Sequence, residues 1–191
     1  MSHTLILASG SRYRRQLLER LRVSFHVHSP NLDESPLPVE THRDLAIRLA
    51  RAKAQSVRDQ FSDAIVIGAD QVAVCGEQKL GKPGNAARTA EQLRLASGQK
   101  VSFLTAVCVA GPHGTAEHVD VTAVLFRALS EPEIARYIDR EQPFDCAGGF
   151  KAEGLGIVLF ERIVSQDPTA LIGLPLIWLS QALRDAGIEL P

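Results

Sequence analysis

The sequence has few cysteines and no long apolar run, which excludes several classes of protein. Cys75, Cys108 and Cys146 are the only cysteines, and no two of them form a C-x-x-C motif. Their wide spacing indicates reduced thiols rather than a disulfide framework or a zinc knuckle. The first eight residues contain no basic segment followed by a long apolar core, and the most apolar later stretch, residues 170–179, is interrupted by a glycine and a proline. We therefore expect a cytoplasmic protein that does not associate with a membrane.

The sequence also lacks an excess of charge of either sign, and it contains no repeat or low-complexity tract. It has 21 Lys and Arg residues against 22 Asp and Glu residues, and 45% of its 191 residues are hydrophobic. This near-neutral balance argues against extensive binding to nucleic acid or to an anionic membrane, although it leaves room for a local basic pocket. The composition predicts one well-cored domain or two small lobes, and a small molecule as the partner.

Alternating apolar patterns predict a mixed α/β fold that combines α/β units with antiparallel elements. One sheet bent between two lobes fits this order of elements. We expect strands near residues 5–8, 24–28, 64–69, 71–75 and 157–163, a β-ribbon of residues 101–110 and 119–128, and helices near residues 13–22, 41–60, 86–96, 130–140 and 175–186. Residues 130–133, Ser-Glu-Pro-Glu, are a capping box that starts the fourth of these helices.

The first predicted strand leads directly into two serines and an arginine-rich helix start. Ser9 or Ser11 can cap this helix, and the free N–H groups at its start attract phosphate. Arg14 precedes the leucines of the apolar stripe by three, four and seven residues, so it projects from the buried face, whereas Arg15 falls on the wet face. Because a guanidinium facing the core needs an anion or a carboxylate, Arg14 is interpreted either as a ligand residue or as part of a structural ion pair.

Three further charged residues stand where the local pattern does not favour them. Lys53 lies on the apolar side of the predicted long helix, where it must snorkel outward, as the pattern alone favours, or meet an anion. Asp70 follows a buried strand, where α/β sheets present catalytic or metal-binding groups, with a turn-forming aspartate as the alternative. Glu34 adds a carboxylate in a Pro-rich loop. Two carboxylates with several cations together indicate Mg²⁺-assisted phosphate chemistry.

Two glycine-containing segments add further candidates. Residues 76–83 match a P-loop up to their last position, where Pro83 replaces the hydroxyl residue that binds Mg²⁺ and removes an N–H group, so we reject a Walker A motif. Lys82 remains a candidate phosphate ligand in a tight turn. Glu153 lies in a glycine-rich segment, residues 146–156, where the backbone can approach a ligand closely.

From end to end, the ordered motifs of this chain resemble those of the Maf-like nucleotide pyrophosphatases. The resemblance rests on Leu7-Ala8-Ser9-Gly10-Ser11 with Arg14 and Leu17-Leu18, Asp33-Glu34, Arg48-Leu49-Ala50 with Lys53-Ala54, Gly68-Ala69-Asp70, Gly81-Lys82-Pro83, Ser97-Gly98, Ala147-Gly148 and Gly173-Leu174-Pro175-Leu176. It implies a single domain over residues 1–191, in which a long, curved mixed sheet separates two lobes and the nucleotide binds in the cleft between them.

The resemblance also implies an activity and assigns roles to the unusual charges. The activity is hydrolysis of a nucleoside triphosphate to the monophosphate and pyrophosphate with a divalent cation, Mg²⁺, Mn²⁺ or Co²⁺, in the cytoplasm; a homodimer is left open. Phosphate binding is implied for Ser9, Ser11, Arg14, Lys53 and Lys82, and the two lysines are also implied to be catalytic. Glu34 is implied to be a catalytic or metal-associated carboxylate, and Asp70 a general base or a metal ligand.

Three positions sort substrates within the family, and in this sequence they are Tyr13, Gln71 and Glu153. The branch acting on dTTP and UTP carries Arg, Thr and Gln there, whereas this chain resembles the branch that hydrolyses 7-methyl-GTP, with Tyr13 where Trp is expected. Methylation at N7 places positive charge on the purine ring, which an aromatic face and a carboxylate both favour. The alternatives are a dTTP/UTP or broad modified-nucleotide pyrophosphatase and a non-catalytic nucleotide sensor that affects cell division.

Overall fold

The structure, a computed structural model, describes residues 4–191, so the first three residues of the expected 1–191 domain lie outside the described part. The described residues form seven strands and five α-helices, which confirms the mixed α/β class. In chain order these are β1 (Leu5–Ala8), α1 (Arg12–Glu19), β2 (His26–Val27), α2 (His42–Arg58), β3 (Ile65–Cys75), β4 (Gln78–Leu80), α3 (Ala86–Ala96), β5 (Lys100–Gly111), β6 (Gly114–Phe126), α4 (Glu131–Glu141), β7 (Phe160–Val164) and α5 (Leu176–Asp185), with short 3-10 helices at Ala147–Gly149, Leu155–Leu159 and Ala170–Ile172.

The strands form one open mixed sheet in the order β2-β1-β3-β5-β6-β7, with β4 paired to β3. Strand β1 runs parallel to β2 and β3, whereas β4 is antiparallel to β3 and β7 is antiparallel to β6. In the parallel pair β1–β3, Ala8 lies opposite Gly68. Strand β1 ends at this pair, whereas β3 continues to Cys75, so Asp70 lies in the part of β3 beyond the end of β1.

The chain divides into two compact units, and the first is built from residues up to Gln71, Thr105–Asp120 and Asp167–Pro191. Its core consists of apolar side chains from β1, α1, β3, β5 and α5, because these elements each turn an apolar face inward. The buried members of this core are Leu5, Leu7, Leu17, Leu18, Ile65, Ile67, Ala69, Val107, Val109, Leu174, Leu176, Leu179, Ala182 and Leu183.

Helix α2 approaches β3 in the first unit so closely that only glycine fits at position 68. A Cβ atom at Gly68 would lie 2.2 Å from the backbone oxygen of Ala50 and 2.5 Å from the backbone nitrogen of Ala54. Since both atoms belong to the helix backbone, neither can move aside without moving the helix. This contact fixes the height of α2 above β3 and hence the position of Lys53, which lies between the two alanines in the sequence.

The second unit comprises Val72–Leu104 and Val121–Gln166. Four phenylalanines form an edge-to-face cluster in it, with ring centroids 4.9 to 5.4 Å apart, a geometry that the aromatic quadrupole favours. These are Phe103, Phe126, Phe150 and Phe160. The predicted capping box at the start of α4 is confirmed, because Ser130 N donates to Glu133 Oε2 over 2.9 Å.

Several predicted elements differ from the observed ones. Residues 64–75 form one continuous strand, not two, and β2 is reduced to two residues. Strand β6 begins at Gly114 rather than near residue 119, and β4 was not predicted because its short segment reads as a polar, glycine-flanked loop. The first part of the predicted strand at 157–163 is instead a 3-10 helix, Leu155–Leu159. The three cysteines are free thiols, as predicted. Within residues 4–191, no helix combines the length and apolar character needed to cross a membrane.

Candidate functional site

The turn between β1 and α1 forms a network of hydroxyl and backbone groups. Ser11 is the N-cap of α1, and its Oγ accepts from the backbone nitrogen of Arg14 over 3.4 Å. The buried Ser9 Oγ accepts from Ser11 N over 3.2 Å and from Arg14 Nη1 over 3.3 Å. Of the two serines predicted as caps, Ser11 therefore caps the helix, while Ser9 orients the Arg14 side chain.

Arg14 and Arg15 lie on opposite faces of α1, as predicted. Arg15 is exposed and pairs with Glu19, with Nε 3.0 Å from Oε1. Arg14 is partly buried, and its Nε donates to the carbonyl oxygen of Gly173 over 3.1 Å. Gly173 has a φ of 132°, and a Cβ added to it would lie 3.3 Å from Arg14 Cγ, so a glycine at this position leaves room for the Arg14 side chain. Within residues 4–191 no ion pair of Arg14 occurs inside 4 Å, so the structural ion pair considered for it is not formed.

The charge of Arg14 is held close to two carboxylates without direct contact. Burial lowers the pKa of the Arg14 guanidinium from its ordinary value, and the negative charges of Asp70 and Glu34 act in the opposite direction. A guanidinium remains protonated even with a lowered pKa. Arg14 is thus a preorganised cation whose fixed hydrogen bonds are made to neutral oxygens.

Lys53 is the centre of a cluster with Glu34 and Asp70. Its Nζ lies 2.6 Å from Glu34 Oε1 and 2.7 Å from Asp70 Oδ1. The side chains of Lys53 and Asp70 are only 9% and 11% exposed, whereas that of Glu34 is 57% exposed. The prediction that Lys53 snorkels outward is therefore wrong, because two carboxylates meet its ammonium inside the fold. The turn role considered for Asp70 is also wrong, since Asp70 lies within β3.

The two carboxylates of this cluster fit a divalent cation. Mg²⁺ prefers oxygen ligands and is commonly held by one or two carboxylates together with phosphate oxygens and water. No group of three or more His, Cys, Asp or Glu side chains suited to a metal occurs in the described part of the chain. A cation at Glu34 and Asp70 would accordingly take its remaining ligands from the substrate and from water.

Gln71 follows Asp70 in β3, so its side chain points to the other face of the strand. Its Nε2 lies 2.9 Å from Thr105 Oγ1, 3.1 Å from the Ala170 carbonyl oxygen and 3.0 Å from the Leu171 carbonyl oxygen. The 3-10 turn that accepts from Gln71 continues into the glycine that accepts from Arg14. Sequence reasoning missed Thr105 and this turn, because a threonine in a strand and a short apolar loop carry no distinguishing pattern.

Tyr13, the aromatic candidate, is engaged by its neighbour on α1. Its hydroxyl accepts from Arg12 Nη2 over 2.7 Å, and the Arg12 Cζ lies 4.8 Å from the centroid of the tyrosine ring. This contact is a cation–π arrangement on a partly exposed ring. The Tyr13 ring therefore already holds one cationic group at its face.

The remaining candidates, Lys82 and Glu153, belong to the second unit. Lys82 is exposed in the segment between β4 and α3, and Glu153 is exposed in a turn of the glycine-rich segment. This segment is anchored to α4, since Lys151 Nζ pairs with Glu141 Oε1 over 3.1 Å and Leu155 N donates to Glu141 Oε2 over 2.7 Å. The other candidates, Ser9, Ser11, Tyr13, Arg14, Glu34, Lys53, Asp70 and Gln71, all lie in the first unit.

A separate cavity of about 350 Å³ in the first unit contains none of these candidates. Cys108 contributes to its wall, and burial together with the negative charge of Glu117 raises the pKa of that thiol to about 12. A thiol with so high a pKa stays protonated near neutral pH and is a poor nucleophile. The lining residues are Arg51, Gln55, Cys108, Ala110, Thr115 and Glu117.

The chain is similar to known proteins over nearly its whole length. The model of the Maf-like protein family matches residues 4–186. A protein of Alkalilimnicola ehrlichii named 7-methyl-GTP pyrophosphatase is 54% identical over 188 residues, which cover 97% of this chain and 94% of the relative. Proteins of the same name from Chromohalobacter salexigens and Xanthomonas oryzae are 50% and 52% identical, with 97% and 100% of both chains covered.

Two solved structures resemble the fold at low sequence identity. A HAM1 protein from Coxiella burnetii superposes with a TM-score of 0.53 and 15% identity, covering 97% of this chain and 100% of the other. The Ham1 protein of Staphylococcus aureus gives a TM-score of 0.51 and 14% identity, covering 95% and 98%. At such identities the likeness shows a shared fold and nothing more specific.

Proposed function

Because this chain belongs to the Maf family, we propose that it is a nucleoside triphosphate pyrophosphatase that converts 7-methyl-GTP into 7-methyl-GMP and pyrophosphate. Relatives that carry the name 7-methyl-GTP pyrophosphatase match it over nearly their whole length at about half identity. In this reaction a water molecule attacks the α-phosphorus, the bond from that phosphorus to the oxygen bridging the β-phosphate breaks, and pyrophosphate leaves. Removal of a modified nucleotide from the cytoplasmic pool would be its role in the cell.

The observation that carries the proposal is the Glu34–Lys53–Asp70 cluster, together with the nearby charge of Arg14. An enzyme that expels pyrophosphate needs cations for the phosphates and a carboxylate that can serve as a base for the proton of the attacking water. A non-catalytic nucleotide sensor would gain nothing from two carboxylates close to an anion, since like charges repel. The cluster therefore supports a catalyst over a sensor.

The candidate residues around the β1–α1 turn and the Lys53 cluster each have a specific role in this proposal. Asp70 acts either as the general base that takes the proton of the attacking water or as a metal ligand, and Glu34 assists as the second carboxylate. Arg14 and Lys53 bind phosphate oxygens and stabilise the charge that develops on the leaving group, and Ser9 holds Arg14 in place. Ser11 Oγ occupies one N–H group at the start of α1, that of Arg14, and the N–H groups before it in this turn are the ones that bind an anion.

A divalent cation, Mg²⁺, Mn²⁺ or Co²⁺, would be held by Glu34 and Asp70 and would supply Lewis-acid polarisation of the phosphate oxygens when bound. Lys53 now bridges the same two carboxylates, so its ammonium and such a cation compete for them.

The remaining assignments rest on the sequence motifs. We propose Lys82 as a further phosphate-binding and catalytic residue, and Tyr13, Gln71 and Glu153 as the residues that contact the base. A cationic methylated purine is compatible with the carboxylate of Glu153 and with the aromatic ring of Tyr13. We also propose that residues 1–191 act as one domain and that the partner is a small nucleotide rather than a nucleic acid.

Product analysis tests the reaction. Purified protein incubated with 7-methyl-GTP and Mg²⁺ is expected to yield 7-methyl-GMP and pyrophosphate in equal amounts, separated by chromatography, with GTP, UTP and dTTP as comparison substrates. Nucleoside diphosphate with orthophosphate would contradict cleavage at the α-phosphorus. Tight binding without any product would favour the sensor, and faster turnover of UTP or dTTP would favour the pyrimidine alternative.

The opposite faces of α1 give a second test. Arg14→Ala is expected to raise KM for the triphosphate at least about tenfold, because it removes a preorganised, charge-assisted phosphate contact. Arg15→Ala is the matched control and is expected to leave KM within about twofold, since Arg15 pairs with Glu19 on the exposed face. Steady-state kinetics of the two variants decide the point. Equal effects of both substitutions would contradict the assignment of Arg14.

A further inference from the structure

We propose that Thr105 is a positioning residue for substrate selection, which orients the carboxamide of Gln71 so that an oxygen acceptor, and not the NH₂ group, faces the substrate base. The inference rests on the proposed function in one respect, namely that the base meets Gln71. The orientation of the carboxamide itself follows from the hydrogen bonds around it.

The partners of Gln71 determine which end of its amide faces the protein. Two of the three atoms around Nε2 are the carbonyl oxygens of Ala170 and Leu171, at 3.1 and 3.0 Å. A carbonyl oxygen can only accept, so the group that faces this pair must be the NH₂ donor. A rotated amide would set Oε1 against the two carbonyl oxygens and leave them without the NH₂ donor, which is a costly arrangement where the groups are largely shielded from water.

Thr105 completes this arrangement because its hydroxyl is itself oriented. The fully buried Thr105 Oγ1 lies 3.0 Å from the Ala170 carbonyl oxygen and 2.9 Å from Gln71 Nε2. Since the carbonyl oxygen cannot donate, the single hydroxyl hydrogen of Thr105 points to Ala170, and the oxygen is left to accept from Gln71. The donors thus run in one direction from Gln71 through Thr105 to the turn, and hydrogen bonds in such a chain strengthen one another.

The free end of the amide is then an acceptor. Gln71 is only partly buried, and within residues 4–191 no protein donor contacts its Oε1. An acceptor in this position favours a base whose edge offers a ring N–H, as guanine does at N1, over a base such as adenine that offers a ring nitrogen acceptor there. Thr105 therefore contributes to selectivity without touching the substrate.

Thr105→Val tests this role, because valine keeps the shape of threonine and removes the hydroxyl. The first measurement needs no substrate. NMR follows the exchange of the Gln71 side-chain amide protons with water, and the signals of these protons are assigned by their absence in Gln71→Leu. We expect the exchange to accelerate at least about tenfold in Thr105→Val and to stay near the wild-type rate in Thr105→Ser, which restores the hydroxyl. Thr89→Val is the matched control, since it removes another buried hydroxyl that donates to a backbone carbonyl, that of Asn85, and it should leave this exchange unchanged.

The second measurement is selectivity. In Thr105→Val we expect the ratio of kcat/KM for 7-methyl-GTP to that for ATP to fall about tenfold, mainly through KM for 7-methyl-GTP, while kcat changes by less than about twofold. Thr105→Ser should restore the ratio. Unchanged amide exchange in Thr105→Val would overturn the positioning role. Faster exchange would also overturn it if the ratio of kcat/KM values stayed the same or if kcat/KM fell equally for 7-methyl-GTP and ATP. A wild-type protein inactive on 7-methyl-GTP would instead refute the proposed function, and the NMR comparison would still decide whether Thr105 orients the amide.

Discussion

Asp70→Asn is expected to lower kcat at least about a hundredfold while the protein remains folded. Asparagine has nearly the same size as aspartate, but it can neither accept the proton of an attacking water nor bind a cation as a carboxylate does. Lys53 keeps Glu34 as a partner in this variant, so its ammonium is not left without a counter-charge in the fold. The loss of rate is therefore expected to reflect chemistry rather than collapse of the cluster.

The measurement is single-turnover and steady-state hydrolysis of 7-methyl-GTP, with circular dichroism and thermal unfolding to establish that the variant is folded. Asp59→Asn serves as the control, because Asp59 is an exposed acid at the end of α2 whose Oδ1 accepts from Gln55 Nε2 over 2.7 Å. It should leave kcat within about twofold of the wild type. Undiminished turnover by a folded Asp70→Asn protein would remove Asp70 from the catalytic machinery.

Gly68→Ala is expected to lower the free energy of unfolding by about 3 kcal/mol, a large effect for the addition of one methyl group. The new Cβ would lie 2.2 Å from Ala50 O and 2.5 Å from Ala54 N, and these backbone atoms are fixed by the hydrogen bonds of α2. The helix must shift as a body to relieve the overlap. Because α2 carries Lys53, the shift also separates the ammonium from Asp70, so activity should fall even well below the melting temperature.

The free energies of unfolding of Gly68→Ala and of a control variant, Gly111→Ala, are measured by chemical denaturation. A Cβ at Gly111 would meet Ile65 Cγ1 at 3.5 Å, an ordinary van der Waals contact, in a backbone that other residues adopt. The control is expected to stay within about 1 kcal/mol of the wild type. Equal unfolding free energies for the two variants would mean that α2 can move away from β3 at little cost.

The features that the sequence predicted well depend on residues near one another in the chain. The opposite exposure of Arg14 and Arg15 follows from the periodicity of one helix, and the observed helix α3 coincides with the predicted residues 86–96. The capping box of α4 lies within four consecutive residues. In each case the physical cause, helical spacing or a local hydrogen bond, is contained in a short segment.

Errors arose where the cause lies in a distant segment. Lys53 was predicted to snorkel and Asp70 to follow a strand, because each looks misplaced in its own element. Their contact joins residues 17 positions apart, and Glu34 reaches the same ammonium from a loop. Once these charges meet, a lysine on the buried face of α2 and an aspartate inside β3 are both acceptable. The roles of Lys82 and Glu153 were indicated by the glycine-containing segments around them and by the family resemblance, and they remain predictions.

The short turn from Ala170 to Gly173 has a consequence for how substrate preference can evolve. It accepts hydrogen bonds from Gln71 through two carbonyl oxygens and from Arg14 through a third. A mutation that moves this backbone therefore disturbs a proposed base-contacting residue and a proposed phosphate-binding residue together. A change of base preference through Gln71 is therefore expected to alter phosphate binding by Arg14 as well.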